Sequence, residues 1–134
     1  MSARQDEEQV LRAAAHLVAR FAAHDVAGYF ACFAPEASFI FYTTAEVLPS
    51  RIAYEALWRR WEHDNGFRVL ACQSFEPNVH IIGDVAIFTH RAQTREIFNA
   101  ETRDVVERET SVFRRQPDGE WLVVHQHLSP CKFA

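Results

Sequence analysis

The chain has 134 residues, of which 49% are hydrophobic, 24% charged and 13% aromatic. This length suits one globular domain, residues 1–134, and the composition excludes an intrinsically disordered chain. The net charge of −4 and the lack of long basic runs argue against nucleic acid as a partner. No apolar run reaches the length of a membrane span, so no membrane partner is expected.

The cysteines and the N-terminal residues indicate the cellular compartment of the protein. Cys32, Cys72 and Cys131 are odd in number and widely spaced, with no CxxC pair, which is typical of reduced thiols. Residues 1–8 are polar and acidic where a secretory signal would be basic and then apolar. We therefore expect a cytoplasmic protein. With four glycines and no glycine-rich phosphate loop, we expect no cofactor.

Helices are predicted in the first half of the chain. Apolar residues recur at helical spacing over 5–24, and Ser2 with Gln5 resembles a capping box. Asp25 is expected to cap a short second helix that continues to Phe33 and ends before Pro35. A third helix is predicted over 51–64, between Ser50 and the Asn65-Gly66 pair.

Strands are predicted around and after the third helix. Residues 37–43 are β-branched and aromatic on both faces, which indicates a strand covered on each side. After Gly66, four strands are expected over 67–82, 84–98, 103–115 and 120–129, with a bend at Pro77 and turn residues between them. Helices followed by an antiparallel meander predict an α+β fold.

Three segments carry a family resemblance: residues 78–84 (NVHIIGD), 109–113 (ETSVF) and 118–129 (DGEWLVVHQHLS). With the order of elements, they resemble the nuclear transport factor 2-like, SnoaL-like (ketosteroid isomerase-like) superfamily, and within it most of all the association domain of calcium/calmodulin-dependent kinase II. The resemblance implies a cone-shaped, curved antiparallel sheet wrapped around three N-terminal helices, a cystatin-like α+β barrel. It also implies a homodimer or larger ring formed through the sheet and a pocket at the wide end of the cone.

The resemblance and the aromatic residues together suggest a ligand site. Arg91 stands at a position where the kinase-type domains place a pocket arginine, with Arg95 as a possible substitute, while Ser111 and Leu128 replace two other family arginines. Tyr54 lies near a pocket position of the third helix. Its inward stripe also contains Trp58 and Trp61, which could line an apolar pocket or simply form core. The site residues predicted to bind ligand are Tyr54, Trp58, Arg91, Glu109 and Ser111.

The last strand carries two histidines. His125 and His127 are expected to share one face with Trp121 and Val123, because strand side chains alternate. An HxH pair could bind zinc with a third ligand such as His80, His90 or Glu109. Structural hydrogen bonding in the sheet or at a dimer interface is the preferred interpretation, and a role in proton transfer is the other alternative. We therefore predict no metal.

The reaction, if there is one, is not evident from the sequence. The candidates for acid or base are Glu109, His125 and His127, with Tyr42 or Tyr54 as hydrogen-bond donor. Glu109 could equally form an ion pair with Arg91. The isomerase mechanism needs a carboxylate in an apolar cavity, whereas Asp25, Glu62 and Asp64 fall at helix ends, so we do not transfer it.

We expect a protein that binds an apolar or weakly acidic small molecule. An isomerase, cyclase or dehydratase that uses acid/base catalysis in the cone is the first alternative. A non-catalytic oligomerisation module is the second. Across these hypotheses, Arg91 and Glu109 are expected to face Tyr54 and Trp58.

Overall fold

The computed structural model describes residues 2–132, in which three helices accompany a five-stranded sheet. Two helices come first, a strand and the third helix follow, and four long strands complete the chain. The α+β class is therefore confirmed. The elements are α1 (Ala3–Ala22), α2 (Val26–Phe30), β1 (Phe33–Ile40), α3 (Arg51–Asn65), β2 (Arg68–Ile82), β3 (Val85–Phe98), β4 (Glu101–Arg115) and β5 (Trp121–Pro130).

Helix ends follow the capping residues. The Ser2 hydroxyl accepts a hydrogen bond from the Gln5 backbone N–H, and the Gln5 side chain accepts one from the Ser2 N–H, so the predicted capping box is present. Ser50 accepts from the backbone N–H of Ala53 at the start of α3. Gly66 ends α3 in the left-handed conformation, with φ of 61°, where a side chain would be strained.

The α2–β1 region differs from the prediction. Helix α2 ends at Phe30, and β1 begins at Phe33, four residues before the predicted start, and ends at Ile40. The physical reason is that Pro35 favours extended geometry in Ala34, so the residues preceding the proline join the strand rather than only ending the helix. Phe33 pairs with Val123 of β5.

The sheet has the order β1-β5-β4-β3-β2. Strands β2 to β5 pair antiparallel, as predicted, but β1 pairs with β5 in parallel. The curved sheet is open in the described residues, with β1 and β2 at its edges, and does not close into a barrel. The predicted curved sheet around three helices, of the cystatin-like α+β kind, is therefore confirmed, with the differences that the sheet stays open and that β1 is parallel to its neighbour β5.

The helices pack against one face of the sheet, which we call the inner face; the opposite side is the outer face. The inner face carries the buried residues Ala86 and Phe88 of β3, Phe113 of β4, and Trp121 and Val123 of β5. These join a core of aromatic rings from the helices and β1. The core therefore fills the narrow end of the cone and leaves the other end to the site described below.

Two observations concern the environment of the chain. No helix within residues 2–132 is long and apolar enough to cross a membrane. Cys32 and Cys72 are half-buried thiols, and burial raises the pKa of each to about 11. Both thiols therefore stay protonated, and unreactive as nucleophiles, at neutral pH.

Candidate functional site

A cavity of about 350 Å³ opens between α3, the 41–43 segment and the far halves of β3 and β4. We call it the wide part of the cone cavity. Trp58 and Trp61, four and seven residues after Tyr54, present one helical face to it, as their spacing predicts. They form its wall and do not fill it. The apolar and aromatic residues that line it are Phe21, Phe41, Tyr54, Trp58, Trp61, Phe67, Phe98, Val105 and Leu128.

Five polar side chains interrupt this apolar wall: Tyr42, Thr43, Glu96, Arg103 and Glu107. The Tyr42 hydroxyl donates a hydrogen bond to the Glu107 carboxylate at 2.7 Å. Glu96 accepts from Arg103 at 2.8 Å, and the Arg103 guanidinium also stacks over Phe98 at 4.5 Å. Among the described residues that line the wide part, Arg103 is the only cation. Burial raises the pKa of Glu107, with Glu109 and Glu96 adding to the effect, so this carboxyl holds its proton more tightly than an exposed glutamate does.

A narrower space of about 50 Å³ continues toward the core, with Phe21, Tyr54, Glu107 and Leu128 lining both parts. We call it the narrow part. The hydroxyls of Tyr29 and Tyr54 form a hydrogen bond of 2.9 Å in its wall. Both side chains are buried, and burial raises the pKa of each phenol well above its ordinary value. Both tyrosines are therefore neutral hydrogen-bonding groups.

His90 and Glu109 lie together on the wall of the narrow part. They are directly paired across β3 and β4, and the His90 Nε2 is 2.9 Å from the Glu109 carboxylate. The His90 Nδ1 is 2.6 Å from the hydroxyl of Ser74 on β2. The His90 side chain is 1% exposed and that of Glu109 14%. A buried imidazole that is hydrogen-bonded at both nitrogens is held in one orientation beside the cavity.

The structure brings four of the eight predicted site residues to this cavity. Tyr42, Tyr54 and Trp58 line the wide part, and Glu109 lines the narrow part. Ser111 points inward as well, but it is fully buried behind Gln126, which donates a hydrogen bond to its hydroxyl at 3.3 Å. Ser111 lines neither part of the cavity, whereas Gln126 lines the narrow part.

The predicted orientation of Arg91 was wrong. Arg91 lies on the outer face, because His90 beside it points inward and strand side chains alternate. Its guanidinium stacks over Phe75 at 5.2 Å and lies 3.7 Å from Glu76. Arg95 is also on the outer face and pairs with Asp104 at 3.0 Å. Neither arginine faces Tyr54 and Trp58, and Glu109 pairs with His90 instead of Arg91.

The histidines of β5 also lie on the outer face. Phe113 pairs with Val123, but the adjacent Val112 pairs with His125, so Val124 is an extra residue in β5. This β-bulge reverses the alternation, and the expectation that the histidines share a face with Trp121 and Val123 was therefore wrong.

His125 is held by a neighbouring strand. Its Nδ1 is 2.8 Å from the Ser38 hydroxyl. Burial, and then the neighbouring His127, lower the pKa of His125. No group of three or more residues within 2–132 is arranged to hold a metal ion.

The sequence analysis did not predict three features of the cavity: Tyr29, Glu107 and the role of His90, which was considered only as a possible zinc ligand. One sequence signal could have identified His90 and Glu107. Ala86, Phe88, Ala92 and Thr94 alternate with His90, and this face of β3, which carries no arginine, is the one that packs inward. Glu107 then follows from the pairing of β4 with that face. Tyr29 left no such signal, since it resembles any core aromatic residue.

The fold and the cavity define a cone-shaped α+β domain of the nuclear transport factor 2-like superfamily. The family model for the SnoaL-like domain matches residues 10–132. The chain therefore belongs to the SnoaL-like domain family. The finer likeness to the association domain of calcium/calmodulin-dependent kinase II stays a prediction.

Solved structures show the same fold at low sequence identity. A nuclear transport factor 2-like superfamily protein from Salmonella enterica is 18% identical, with a TM-score of 0.83 over 99% of this chain and 96% of that one. An NTF2-like protein from Rhodospirillum rubrum is 21% identical, with a TM-score of 0.77 over 91% and 98%. ActVI-ORFA from Streptomyces coelicolor is 16% identical, with a TM-score of 0.75 over 95% and 98%. No curated protein sequence matches the chain.

Proposed function

We propose that this domain binds a neutral, mostly apolar small molecule in the wide part of the cone cavity. The aromatic cavity of about 350 Å³ carries the proposal. Its size falls at the lower end of the range for ligand pockets, roughly 300–1,000 Å³, and its few polar groups among aromatic walls are typical of such sites.

The charges of the cavity favour a neutral ligand over an acidic one. Glu96, Glu107 and Glu109 line its two parts, and Arg103 is already paired with Glu96. A ligand carboxylate would meet this excess of acidic groups, and Arg91, which was predicted to bind ligand, lies on the other face. A ligand hydroxyl would instead find an acceptor in Glu107.

A matched pair of probes tests the proposal. We expect 2-naphthol to quench the tryptophan fluorescence of the chain on binding, with an affinity at least about tenfold higher than that of 2-naphthoate. Val105→Trp should abolish binding, because Val105 lines the wide part. Val106→Trp is the control, since the neighbouring residue points to the outer face. Equal binding by both variants would place the ligand elsewhere, and tighter binding of the carboxylate would refute the choice of a neutral ligand.

A second function, proton transfer on the bound ligand, is favoured by Glu107. A carboxyl whose pKa is raised in an apolar cavity is a stronger base than an exposed one, and the neutral phenols of Tyr42 and Tyr54 lie in the same wall. The reaction class would be proton abstraction beside a carbonyl, as in an isomerase or lyase.

Exchange of the α-protons of 2-tetralone into heavy water, followed by NMR, tests this second function. The wild-type chain should accelerate exchange, and Glu107→Gln should remove the acceleration while keeping the binding of 2-naphthol, since glutamine preserves the shape of the site but is not a base. Acceleration that persists in Glu107→Gln would refute this role for Glu107.

A further inference from the structure

Ser74, His90 and Glu109 form a continuous hydrogen-bonded row that runs from the edge strand β2 across β3 to the central strand β4. The Ser74 Oγ is 2.6 Å from the His90 Nδ1, and the His90 Nε2 is 2.9 Å from the Glu109 Oε1. One tautomer satisfies both contacts: the serine hydroxyl donates to Nδ1, and the Nε2 N–H donates to the carboxylate. A hydroxyl, an imidazole and a carboxylate in this order are the parts of a serine nucleophile with its base and the group that orients the base.

The local backbone explains how the row forms. Phe75 pairs with Arg91 and Asn78 pairs with Thr89, so two residues of β2, Glu76 and Pro77, lie opposite His90 alone. This bulge opens the ladder beside His90, and the His90 side chain reaches the Ser74 hydroxyl. Glu76 has a φ of 56°, an uncommon conformation for a residue other than glycine, which marks the bulge as a strained feature of the kind found next to active sites.

The bulge lies directly beside the row. Glu76 has no Cα partner in the β2–β3 register, so it stands outside the regular pairing of the two strands. The strained bulge and the three side chains are thus neighbours within one short stretch of β2 and the strands beside it.

Exposure assigns the roles within the row. Ser74 is exposed on the edge strand β2, whereas the His90 side chain is almost fully buried. A substrate from solvent therefore meets the hydroxyl, with the imidazole behind it.

Cys72, two residues earlier on the same strand, has its thiol pKa raised to about 11 by burial and is a poor nucleophile.

We propose that Ser74 is a nucleophile activated by His90 and Glu109, and that the site takes uncharged carboxylic esters. The Ser74 Oγ attacks the ester carbonyl carbon while its proton passes to the His90 Nδ1, and Glu109 stabilises the resulting imidazolium. The imidazolium then protonates the departing alcohol as the ester C–O bond breaks, leaving an acyl-serine. Water attacks the acyl-serine with His90 as base, which releases the acid and restores the hydroxyl.

Ser74 lines neither part of the cone cavity, although His90 and Glu109 line its narrow part, so the nucleophile itself can be removed without changing the wall of the ligand cavity. A Ser74→Ala chain should therefore still bind 2-naphthol. Failure of one proposal leaves the other intact.

The chain contains its own control for the nucleophile. On the outer face, the Ser38 hydroxyl lies 2.8 Å from the His125 Nδ1, a serine–histidine pair with similar geometry. Within the described residues no ion pair joins His125 to a carboxylate. If a serine–histidine contact were enough, Ser38 would react like Ser74.

The test is covalent labelling of the full chain by a fluorophosphonate, with the modified residue located by mass spectrometry. Attack by a serine Oγ forms the O–P bond, breaks the P–F bond and releases fluoride and the serine proton. We expect one adduct, on Ser74, that is absent from Ser74→Ala and unchanged in Ser38→Ala. Glu109→Gln should slow labelling at least about 100-fold. With p-nitrophenyl acetate, the acetyl group should likewise be found on Ser74.

Three results would overturn the proposal: no adduct on the folded wild-type chain, labelling of Ser38 as fast as that of Ser74, or labelling of Glu109→Gln at the wild-type rate. Circular dichroism shows whether each variant is folded. Because Ser74 is exposed, Ser74→Ala keeps the test decisive even if Glu109→Gln does not fold.

Discussion

The Tyr29–Tyr54 hydrogen bond should show strong energetic coupling between α2 and α3. The two hydroxyls are 2.9 Å apart, and each side chain is 4% exposed. Replacing either tyrosine by phenylalanine leaves the other hydroxyl buried without its partner, which costs about 1–3 kcal/mol. Replacing both removes the pair together, a nearly neutral change. We therefore expect the double variant to be less destabilised than the sum of the single variants by at least about 2 kcal/mol.

Urea unfolding of the four chains measures this coupling as a double-mutant cycle. The dependence of the unfolding free energy on urea should stay unchanged, because the substitutions alter little surface. Additive single costs would refute the reasoning. Such a result would mean that each hydroxyl finds another partner, for example water in the narrow part of the cavity, when its neighbour is removed.

Three further predictions concern charge, backbone and assembly. Burial raises the pKa of Glu107 in the folded chain above its unfolded value of about 4.5. The protonated Glu107 side chain therefore contributes its full stability below pH 4.5, and this contribution is lost as the pH rises through the folded pKa. Glu107→Gln should therefore gain stability relative to wild type between pH 4 and pH 8 in thermal unfolding. Glu101→Gln, at an exposed position, is the control and should not. The same change of stability with pH in both variants would contradict this prediction. Gly66→Ala should cost about 1 kcal/mol in urea unfolding, and Gly66→Asn less, because φ is 61° and a Cβ would meet only open space; equal stability of all three would contradict it. If the domain forms a homodimer through the outer face, light scattering of the wild type should give twice the mass of one chain. The Ile87→Glu variant should give the mass of a single chain. A wild-type monomer would refute the dimer.

Local signals made the helices and the meander predictable. A cap acts within three or four residues, so Ser2, Asp25 and Ser50 mark helix starts without knowledge of the rest of the fold, and Gly66 marks an end. Hairpin strands are likewise set by the turn between them. The predicted bounds of β2 to β5 differ from the observed ones by two residues or fewer.

The faces of the strands were less predictable, because a face depends on pairing over long distances. One extra residue at Val124 reverses the orientation of His125 and His127, and no local signal distinguishes a bulge from a regular strand. The parallel pairing of β1 with β5 joins residues about ninety positions apart. Arg91 was assigned to the pocket by resemblance, although the opposite face of its strand, with Ala86, Phe88 and Ala92, is the more apolar one and packs inward.

The candidate site shows the same division. Helical spacing correctly brought Tyr54 and Trp58 to one wall, since that wall lies on a single element. The contacts among Ser74, His90 and Glu109 require three strands in the correct register and a bulge at Glu76. Such a constellation is defined by tertiary structure, and the sequence separation of its members carries no signal for it.

Binding of a neutral ligand in the cone cavity is tested most directly by NMR on a chain with labelled methyl groups. On addition of 2-naphthol, we expect intermolecular NOEs to Val105 and Leu128, which line the wide part, and none to Val106 or Val112 on the outer face. NOEs confined to the outer face, or none at millimolar 2-naphthol, would contradict the account.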